Sequence, residues 1–176
     1  LKVPRYHRPN LKNASGPYAD PKGIMDFVDL IIGSEGIYGL ITSCKLKLAH
    51  KPKNHLELFL RLQSEQQALD FYDFLFKYFQ SDMSKVSALE YFGYKSQNYM
   101  KHKDFFFDKE SDVGIYLQIP IYNQNIESQS IKWVSIITKF DITIDLNCVI
   151  LLNDKRIWDK FFEARHSIPD NALTKT

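Results

Sequence analysis

The stretch around which this chain is organised lies at residues 29–42 and reads DLIIGSEGIYGLIT. An apolar run enters a turn that holds three glycines and one carboxylate, Glu35, and a second apolar run leaves it. Glycine has no Cβ, so its backbone amide reaches conformations and distances that other residues block. A corner that lies against a ligand needs this freedom. Taken alone, the residues favour a tight structural turn, and a ligand-facing corner is the alternative.

The segments on either side of this glycine corner differ in regularity. Residues 1–28 carry four prolines and two glycines, which punctuate them too often for regular elements. Residues 27–32 are predicted to form a strand or a short helix that ends at Gly33. Residues 37–48 alternate apolar and polar side chains, which predicts a strand.

After Pro52 the chain alternates between strand and helix patterns. The predicted strands lie at residues 55–62, 86–91, 113–122 and 146–152. The predicted helices lie at residues 64–80, 128–140 and 153–166. Two strand–helix–strand repeats followed by a helix predict an α+β fold, a ferredoxin-like antiparallel sheet with helices on one face.

Several finer predictions belong to these elements. The first long helix begins at the N-cap Ser64, and the last is stopped by Pro169. Pro120 predicts an edge strand or a bulge for the third strand. In the first helix, an apolar stripe at helical spacing predicts the buried face. That stripe consists of Leu69, Tyr72, Phe76 and Phe79.

Composition limits the function classes. The 176 residues contain 23 basic and 21 acidic side chains, so the net charge of +2 gives no sign of a nucleic-acid-binding face. No apolar run is long enough to span a bilayer, and no signal peptide is evident, which predicts a cytoplasmic protein, with peripheral membrane association left open. Cys44 and Cys148 lie in apolar runs and are predicted to be buried thiols. No pair of Cys or His residues has metal-ligand spacing, so no metal site is predicted.

Two motifs resemble those of a known family. Residues 12–16 read KNASG and residues 33–42 read GSEGIYGLIT. They resemble the K-N-x-x-G-Y and G-S-E-G-T-L-G-I-I-T segments of the flavin-dependent family of glycolate oxidase subunits, D-lactate dehydrogenases and D-2-hydroxyglutarate dehydrogenases. Here Ile37 and Tyr38 replace the usual Thr-Leu pair, and Pro17 falls before Tyr18 in the first motif.

The resemblance implies a domain arrangement and a cofactor. Members of this family have an FAD-binding domain of the vanillyl-alcohol-oxidase type, followed by a cap on a ferredoxin-like sheet. Residues 1–52 would then be the C-terminal end of the FAD-binding domain, and residues 53–176 the cap that holds the substrate. The function implied is FAD-dependent oxidation of a 2-hydroxy acid resembling D-lactate or glycolate, with an electron acceptor that the sequence does not name.

The same resemblance assigns candidate cofactor-binding residues. Backbone groups of Glu35, Gly36, Gly39, Leu40 and Ile41 would lie along the flavin. The favoured role of the Glu35 side chain is to anchor the loop by accepting hydrogen bonds from backbone amides. Contact with the cofactor is the alternative.

A second match concerns the substrate. Residues 162–169, FEARHSIP, resemble the family's W-x-x-R-E/H-x-I-P/T helix end, whose arginine binds the substrate carboxylate. Arg165 is therefore the substrate-binding candidate, since a planar guanidinium pairs bidentately with a carboxylate. The alternative for Arg165 is a cation that satisfies carbonyls at the helix end. His166 is a minor candidate for an acid or base, and an exposed helix-end histidine is the favoured interpretation, so the catalytic base stays unassigned.

Two family features are absent from the sequence: the glycine-rich phosphate loop, and the histidine motifs that supply the catalytic base and, in some members, a metal. We therefore expect a C-terminal fragment of an enzyme that is inactive by itself. Ser15-Gly16-Pro17 resembles a segment of alkyl-dihydroxyacetonephosphate synthases, which makes a flavin-dependent transferase the first alternative. A non-catalytic ferredoxin-like interaction module is the second.

Overall fold

The computed structural model of the chain describes residues 22–141 and 144–174. The chain divides into two compact units, Leu1–Ala49 and His50–Thr176, and each is described by itself.

The described part of the first unit contains one short helix and no strand. Helix α1, Phe27–Ile31, begins after Asp26, whose side chain accepts a hydrogen bond from the Val28 amide at 2.8 Å. This confirms the short-helix alternative for residues 27–32. The strand predicted at residues 37–48 is wrong, because an alternating segment becomes a strand only when a neighbouring strand accepts and donates its hydrogen bonds.

The second unit is built on a four-stranded antiparallel sheet. The strands are β1, β2, β3 and β4, at Asn54–Leu62, Ala88–Phe92, Val113–Ile121 and Val149–Leu151. Their order is β2-β3-β1-β4, and each neighbouring pair is antiparallel. This is the strand order of a split βαβ fold, so the predicted α+β, ferredoxin-like sheet is confirmed.

Four helices and three 3₁₀ turns connect or follow these strands. Helices α2, α3, α4 and α5 occupy Glu65–Tyr78, Lys103–Phe106, Ile126–Phe140 and Lys155–Thr174. The 3₁₀ turns lie at Met83–Lys85, Tyr94–Asn98 and Leu146–Cys148. Ser64 caps α2 as predicted, with its hydroxyl accepting from the Gln67 amide at 3.2 Å.

Alternate residues of β1 feed two separate cores. Leu56, Leu58, Leu60 and Leu62 pack with residues of α2 and α4, whereas Phe59 packs with α3 and α5. Successive side chains of a strand point to opposite faces, so helices cover both faces of the sheet. The prediction of helices on one face is therefore right for α2 and α4 and wrong for α5.

Helix α5 also runs past the proline that was predicted to stop it. Pro169 lies inside the helix, which ends at Thr174. The turn around the proline is held to the rest of the domain by side chains. The Ser167 hydroxyl donates to the Ala164 carbonyl at 2.7 Å and accepts from the Lys101 amide at 2.8 Å, and Asn171 donates to the Tyr99 carbonyl at 2.7 Å. These contacts offset the hydrogen bond that proline cannot donate.

The position predicted for Pro120 is wrong, because β3 is a central strand. Pro120 pairs with His55 of β1, and β2 pairs with β3 only as far as Gln118. The Gln118 carbonyl accepts from Ser87 on the β2 side, so by alternation the Pro120 nitrogen also points to that side, beyond the end of β2. A missing donor there removes no hydrogen bond from the ladder.

The short strand β4 is extended by a side chain. The Asn153 amide group accepts from the Glu57 backbone N–H at 3.0 Å and donates to the His55 carbonyl at 2.8 Å. It thus supplies the two hydrogen bonds that another strand residue would have made to β1.

Both cysteine predictions are wrong. Cys44 is exposed, and Cys148 is partly exposed, with its sulfur 3.7 Å from Nη2 of Arg61. Cys44 belongs to the unpaired segment that was predicted to be a strand. Cys148 ends a 3₁₀ turn at the edge of the sheet, where only part of a side chain is covered.

Candidate functional site

The glycine corner has the backbone conformation that its sequence suggests. After α1, the turn is closed by hydrogen bonds from the Ser34, Ile37 and Gly39 amides to carbonyls three residues earlier, at 2.9–3.3 Å. The φ angles of Gly33, Gly36 and Gly39 are 76°, 83° and 133°. These left-handed values are strained for residues with a Cβ, which accounts for the glycines.

The corner has open space beside its glycines. A Cβ built on Gly36 or Gly39 would meet no atom within 4 Å, and Leu40 and Ile41 are 93% and 67% exposed. Glu35 is exposed with a φ of 51°, and its carboxylate accepts no hydrogen bond from any residue in the described ranges. The favoured anchoring role of Glu35 therefore has no support in this part of the chain.

Arg165 lies in the middle of α5 and is held by a carboxylate of the sheet. Its Nε donates to Oε2 of Glu90 at 2.7 Å, and its Nη2 donates to Oε1 of the same residue at 2.6 Å. This is the two-point geometry by which a guanidinium binds a carboxylate. The hydrogen bonds that Arg165 donates to the Glu90 carboxylate raise the pKa of Arg165 above its usual value, so the side chain remains a cation. The alternative role at a helix end does not apply, because α5 continues to Thr174.

A cleft of about 190 Å³ opens between α5 and strands β2 and β3, with Arg165 on its wall. Its polar lining consists of Glu90, Tyr116, Gln118 and Arg165. The apolar side is mostly aromatic, formed by Trp158, Phe161 and Phe162 from α5. Aromatic walls beside a few convergent polar groups are found in small-molecule sites, and a volume of about 190 Å³ limits the ligand to a small one.

The floor of this cleft, which we call the α5 cleft, is ordered by Glu57 of β1. The Tyr116 hydroxyl donates to Oε2 of Glu57, and Nε2 of Gln118 donates to Oε1 at 3.1 Å. Burial raises the pKa of the Tyr116 phenol, and the hydrogen bond to Glu57 raises it further. The phenol is therefore a proton donor to Glu57 over the whole neutral range.

The charges at the α5 cleft do not cancel. Arg165 contributes one positive charge, and Glu90 and Glu57 contribute one negative charge each, which leaves a net charge of −1. A ligand carboxylate that entered without any rearrangement would therefore meet a local excess of negative charge.

His166 turns away from this arrangement. It is exposed, and its Nδ1 lies 3.0 Å from the Phe162 carbonyl oxygen of the preceding turn. Its ring packs edge-on against the Phe162 ring, with 3.9 Å between the two ring centroids. It does not line the α5 cleft. This agrees with the favoured interpretation of an exposed histidine, although the helix continues beyond it.

Several residues of the α5 cleft were missed from the sequence. Glu57 and Gln118 are polar residues flanked by apolar ones in their strands, and they lie directly opposite each other in the sheet, as do Glu90 and Tyr116. The polar interruptions were visible in the sequence, but the strand register that brings them together was not.

The candidate residues do not form one site within a single unit. Glu35, Gly36, Gly39, Leu40 and Ile41 belong to the first unit, whereas Arg165 and the α5 cleft belong to the second. In the described residues, no three His, Cys, Asp or Glu side chains are grouped so that they could hold a metal ion. Within those same ranges, no helix has both the length and the apolar character needed to cross a membrane.

Comparison with family models and curated sequences adds no relative. Neither a protein-family model nor a curated protein sequence matches the chain.

Proposed function

We propose that the chain serves the FAD-dependent oxidation of a 2-hydroxy acid resembling D-lactate or glycolate. The observation that carries the proposal is Arg165, a cation on the wall of a small cleft lined by aromatic and polar side chains. An arginine in such surroundings suits a compact acid with one carboxylate and one hydroxyl group.

The conformation of the glycine corner fits a cofactor wall. Gly36 and Gly39 have left-handed backbones with open space on the side where a Cβ would lie. Flat ring systems can approach such a backbone closely. The amides of Ile37 and Gly39 close the turn, so the amides of Glu35, Gly36, Leu40 and Ile41 are the ones proposed to donate to cofactor oxygens. When bound, FAD supplies the acceptor for the hydride that leaves the substrate carbon.

The protein's own groups have separate roles in this proposal. Arg165 holds the substrate carboxylate, and the aromatic side chains Trp158 and Phe162 cover the carbon skeleton and exclude water. Tyr116 and Gln118 offer hydrogen-bonding groups to the substrate hydroxyl. The α5 cleft contains no group that we assign as the base.

The direct test is flavin content and substrate oxidation by the full-length gene product. We expect a yellow protein that reduces an electron-accepting dye in the presence of D-lactate or glycolate. A colourless protein that FAD does not reconstitute would disprove the proposal.

Arginine variants test the substrate site. We expect Arg165→Ala to lower kcat/KM for the hydroxy acid by about 10²-fold or more, because a charge-assisted two-point contact is lost. Arg156→Ala is the matched control, since Arg156 lies on the same helix with a 92% exposed side chain and does not line the cleft. Equal losses in the two variants would argue against a substrate role for Arg165.

The alternatives make different predictions. The transferase alternative rests on Ser15-Gly16-Pro17, which lie outside the described residues. It would be favoured by a flavoprotein that fails to reduce the dye with any 2-hydroxy acid. The interaction-module alternative would be favoured if FAD left the amide signals of residues 33–39 unperturbed.

A further inference from the structure

The carboxylate-binding edge of Arg165 is already taken by a residue of the protein. Glu90 engages Nε and Nη2 of the guanidinium through both of its oxygens, at 2.7 and 2.6 Å. A substrate carboxylate would use the same two-point geometry. Glu90 is thus an internal copy of the group that the proposed function assigns to Arg165.

The pair is accessible enough to open. The side chains of Arg165 and Glu90 are 39% and 35% exposed, so both remain in contact with water. Water and salt compete for both partners of an ion pair at such a position, and this weakens the pair relative to a fully buried one. A ligand carboxylate in the α5 cleft can therefore compete for the guanidinium at a modest cost.

Binding beside Glu90 is disfavoured by charge. Nη1 of Arg165 has no hydrogen-bond partner in the described part of the chain, so a second edge of the guanidinium is open. A carboxylate placed there would share one cation with Glu90. Like charges at this distance repel, so exchange is favoured over addition.

We propose that Glu90 is an internal competitor for the carboxylate-binding position of Arg165, and that a 2-hydroxy acid binds in the α5 cleft by displacing the Glu90 carboxylate. The inference rests on the proposed function in taking the ligand to be such an acid. Glu90 then sets the threshold for binding, because only an acid that makes further contacts with the cleft replaces it. The apparent association constant for any carboxylate is the intrinsic constant multiplied by the fraction of molecules in which Arg165 is not paired with Glu90.

The test is a titration of the chain with sodium D-lactate. Binding is monitored by the fluorescence of Trp158, which lines the cleft. A Trp158→Phe variant identifies that part of the signal. We expect Glu90→Gln to bind D-lactate about fivefold to tenfold more tightly than the unaltered chain, because Arg165 is released. The double variant with Arg165→Ala should lose this gain.

Glu163→Gln is the matched control. This substitution removes one negative charge from α5, two residues before Arg165. Glu163 is exposed and paired with His102. We expect its affinity for D-lactate to remain within twofold of the unaltered chain. Equal gains in both variants would show a general charge effect and overturn the proposal, as would unchanged, weaker or undetectable binding by Glu90→Gln.

A second measurement avoids any question of variant folding. In the unaltered chain, the ¹³C signal of the Glu90 carboxyl should move during the D-lactate titration, with the same midpoint as the fluorescence change. Movement of the Trp158 signals without a change at Glu90 would overturn displacement. If Glu90→Gln binds more tightly but the gene product oxidises no hydroxy acid, the proposed function fails and the competitor role stands. If the gene product oxidises the hydroxy acid but Glu90→Gln does not bind D-lactate more tightly, the competitor role fails and the proposed function stands.

Discussion

Phe59 is the residue on which the core beneath α5 depends. Its ring is fully buried and meets the rings of Phe92, Phe106, Phe107 and Phe161 at centroid distances of 5.1–5.9 Å, three of them edge-on. Such edge-to-face contacts add to the stability that burial alone provides. The space that this ring needs is left by Gly114 on the neighbouring strand, where a Cβ would lie 2.2 Å from the Phe59 ring.

Gly114→Ala should therefore destabilise the protein. A methyl group at that position forces the Phe59 ring and its neighbours to move, at a cost of about 1–3 kcal/mol in the free energy of unfolding. Chemical denaturation measures this change. Gly93→Ala is the control, because its new Cβ would meet only the outer end of the Tyr91 ring, at 3.3 Å. A loss no larger than that of the control would contradict the packing described for Phe59.

The Tyr116 phenol should resist ionisation. Burial and the bond to Glu57 raise its pKa above the ordinary value of 10.0, and the pKa of Tyr91 is raised to about 12 by burial and by Glu65. Near-ultraviolet titration should show Tyr116 still protonated at about pH 11, where ordinary tyrosines have ionised. Tyr116→Phe identifies the signal, and ionisation of Tyr116 near pH 10 would contradict this prediction.

The same shift has a defined effect on stability. The pKa of Tyr116 is raised in the folded state. Its contribution to the free energy of unfolding is therefore fully present below the unfolded-state pKa near 10 and is lost as the pH rises from there through the folded-state pKa. We expect the unaltered protein to lose stability above pH 10 more steeply than Tyr116→Phe. Parallel pH profiles of the two proteins would contradict the shift.

Strand β4 depends on a side chain for part of its pairing. It has three residues, and its pairing with β1 is continued by the Asn153 amide group. Asn153→Ala leaves the Glu57 N–H and the His55 carbonyl without that partner, which should cost about 1–3 kcal/mol. Asn147→Ala, at an exposed asparagine nearby, should cost about 0.5 kcal/mol or less. Thermal unfolding separates the two, and equal shifts would contradict the bridging role.

The elements could be predicted from the sequence more readily than their faces. Alternation and capping residues located all four strands of the sheet and the helices α2, α4 and α5. The buried side of α2 was mispredicted, because apolar residues occur all around this helix. Leu69 is 61% exposed, whereas Ala68, Phe71 and Leu75 are buried. Periodicity identifies a buried stripe only when the opposite face is polar.

Two errors have a common physical cause. The strand predicted at residues 37–48 and the stop predicted at Pro169 were both inferred from local sequence. A strand needs a partner, and a proline inside a helix is tolerated where other contacts hold the turn, as Ser167 and Asn171 do. Both outcomes depend on residues far away in the sequence.

At the scale of the molecule, the second unit contains the complete packed sheet. Among the described residues, every member of the two buried clusters lies beyond residue 55. In the first unit, by contrast, Leu40, Leu46 and Leu48 are 73–93% exposed. The stability of the sheet is therefore expected to come from the second unit alone.

Residues 50–176 should thus fold by themselves. We expect this piece to unfold cooperatively, with a midpoint in denaturant close to that of the full chain, because both clusters are retained. We also expect it to self-associate less, since the exposed leucines have been removed. Circular dichroism and gel filtration measure the two properties, and an unfolded piece would show that the first unit supports the sheet.

The candidate site could be anticipated from the sequence only in part, and its role stays a prediction. The family resemblance selected Arg165 and the glycine corner, but Glu90, Tyr116, Gln118 and Glu57 come together through strand register. No local pattern contains that information, because the shift of one strand by one residue would exchange its two faces. The carboxylate partner of Arg165 lies 75 residues away in the sequence.

The division of β1 between two cores has a consequence for how the gene can change. Its even-numbered leucines serve the α2 and α4 side, and its odd-numbered residues place Glu57 and Phe59 beneath α5. Insertion or deletion of one residue within Asn54–Leu62 would send the carboxylate into the leucine core and the leucines into the α5 cleft. This strand can therefore diverge by substitution but not in length.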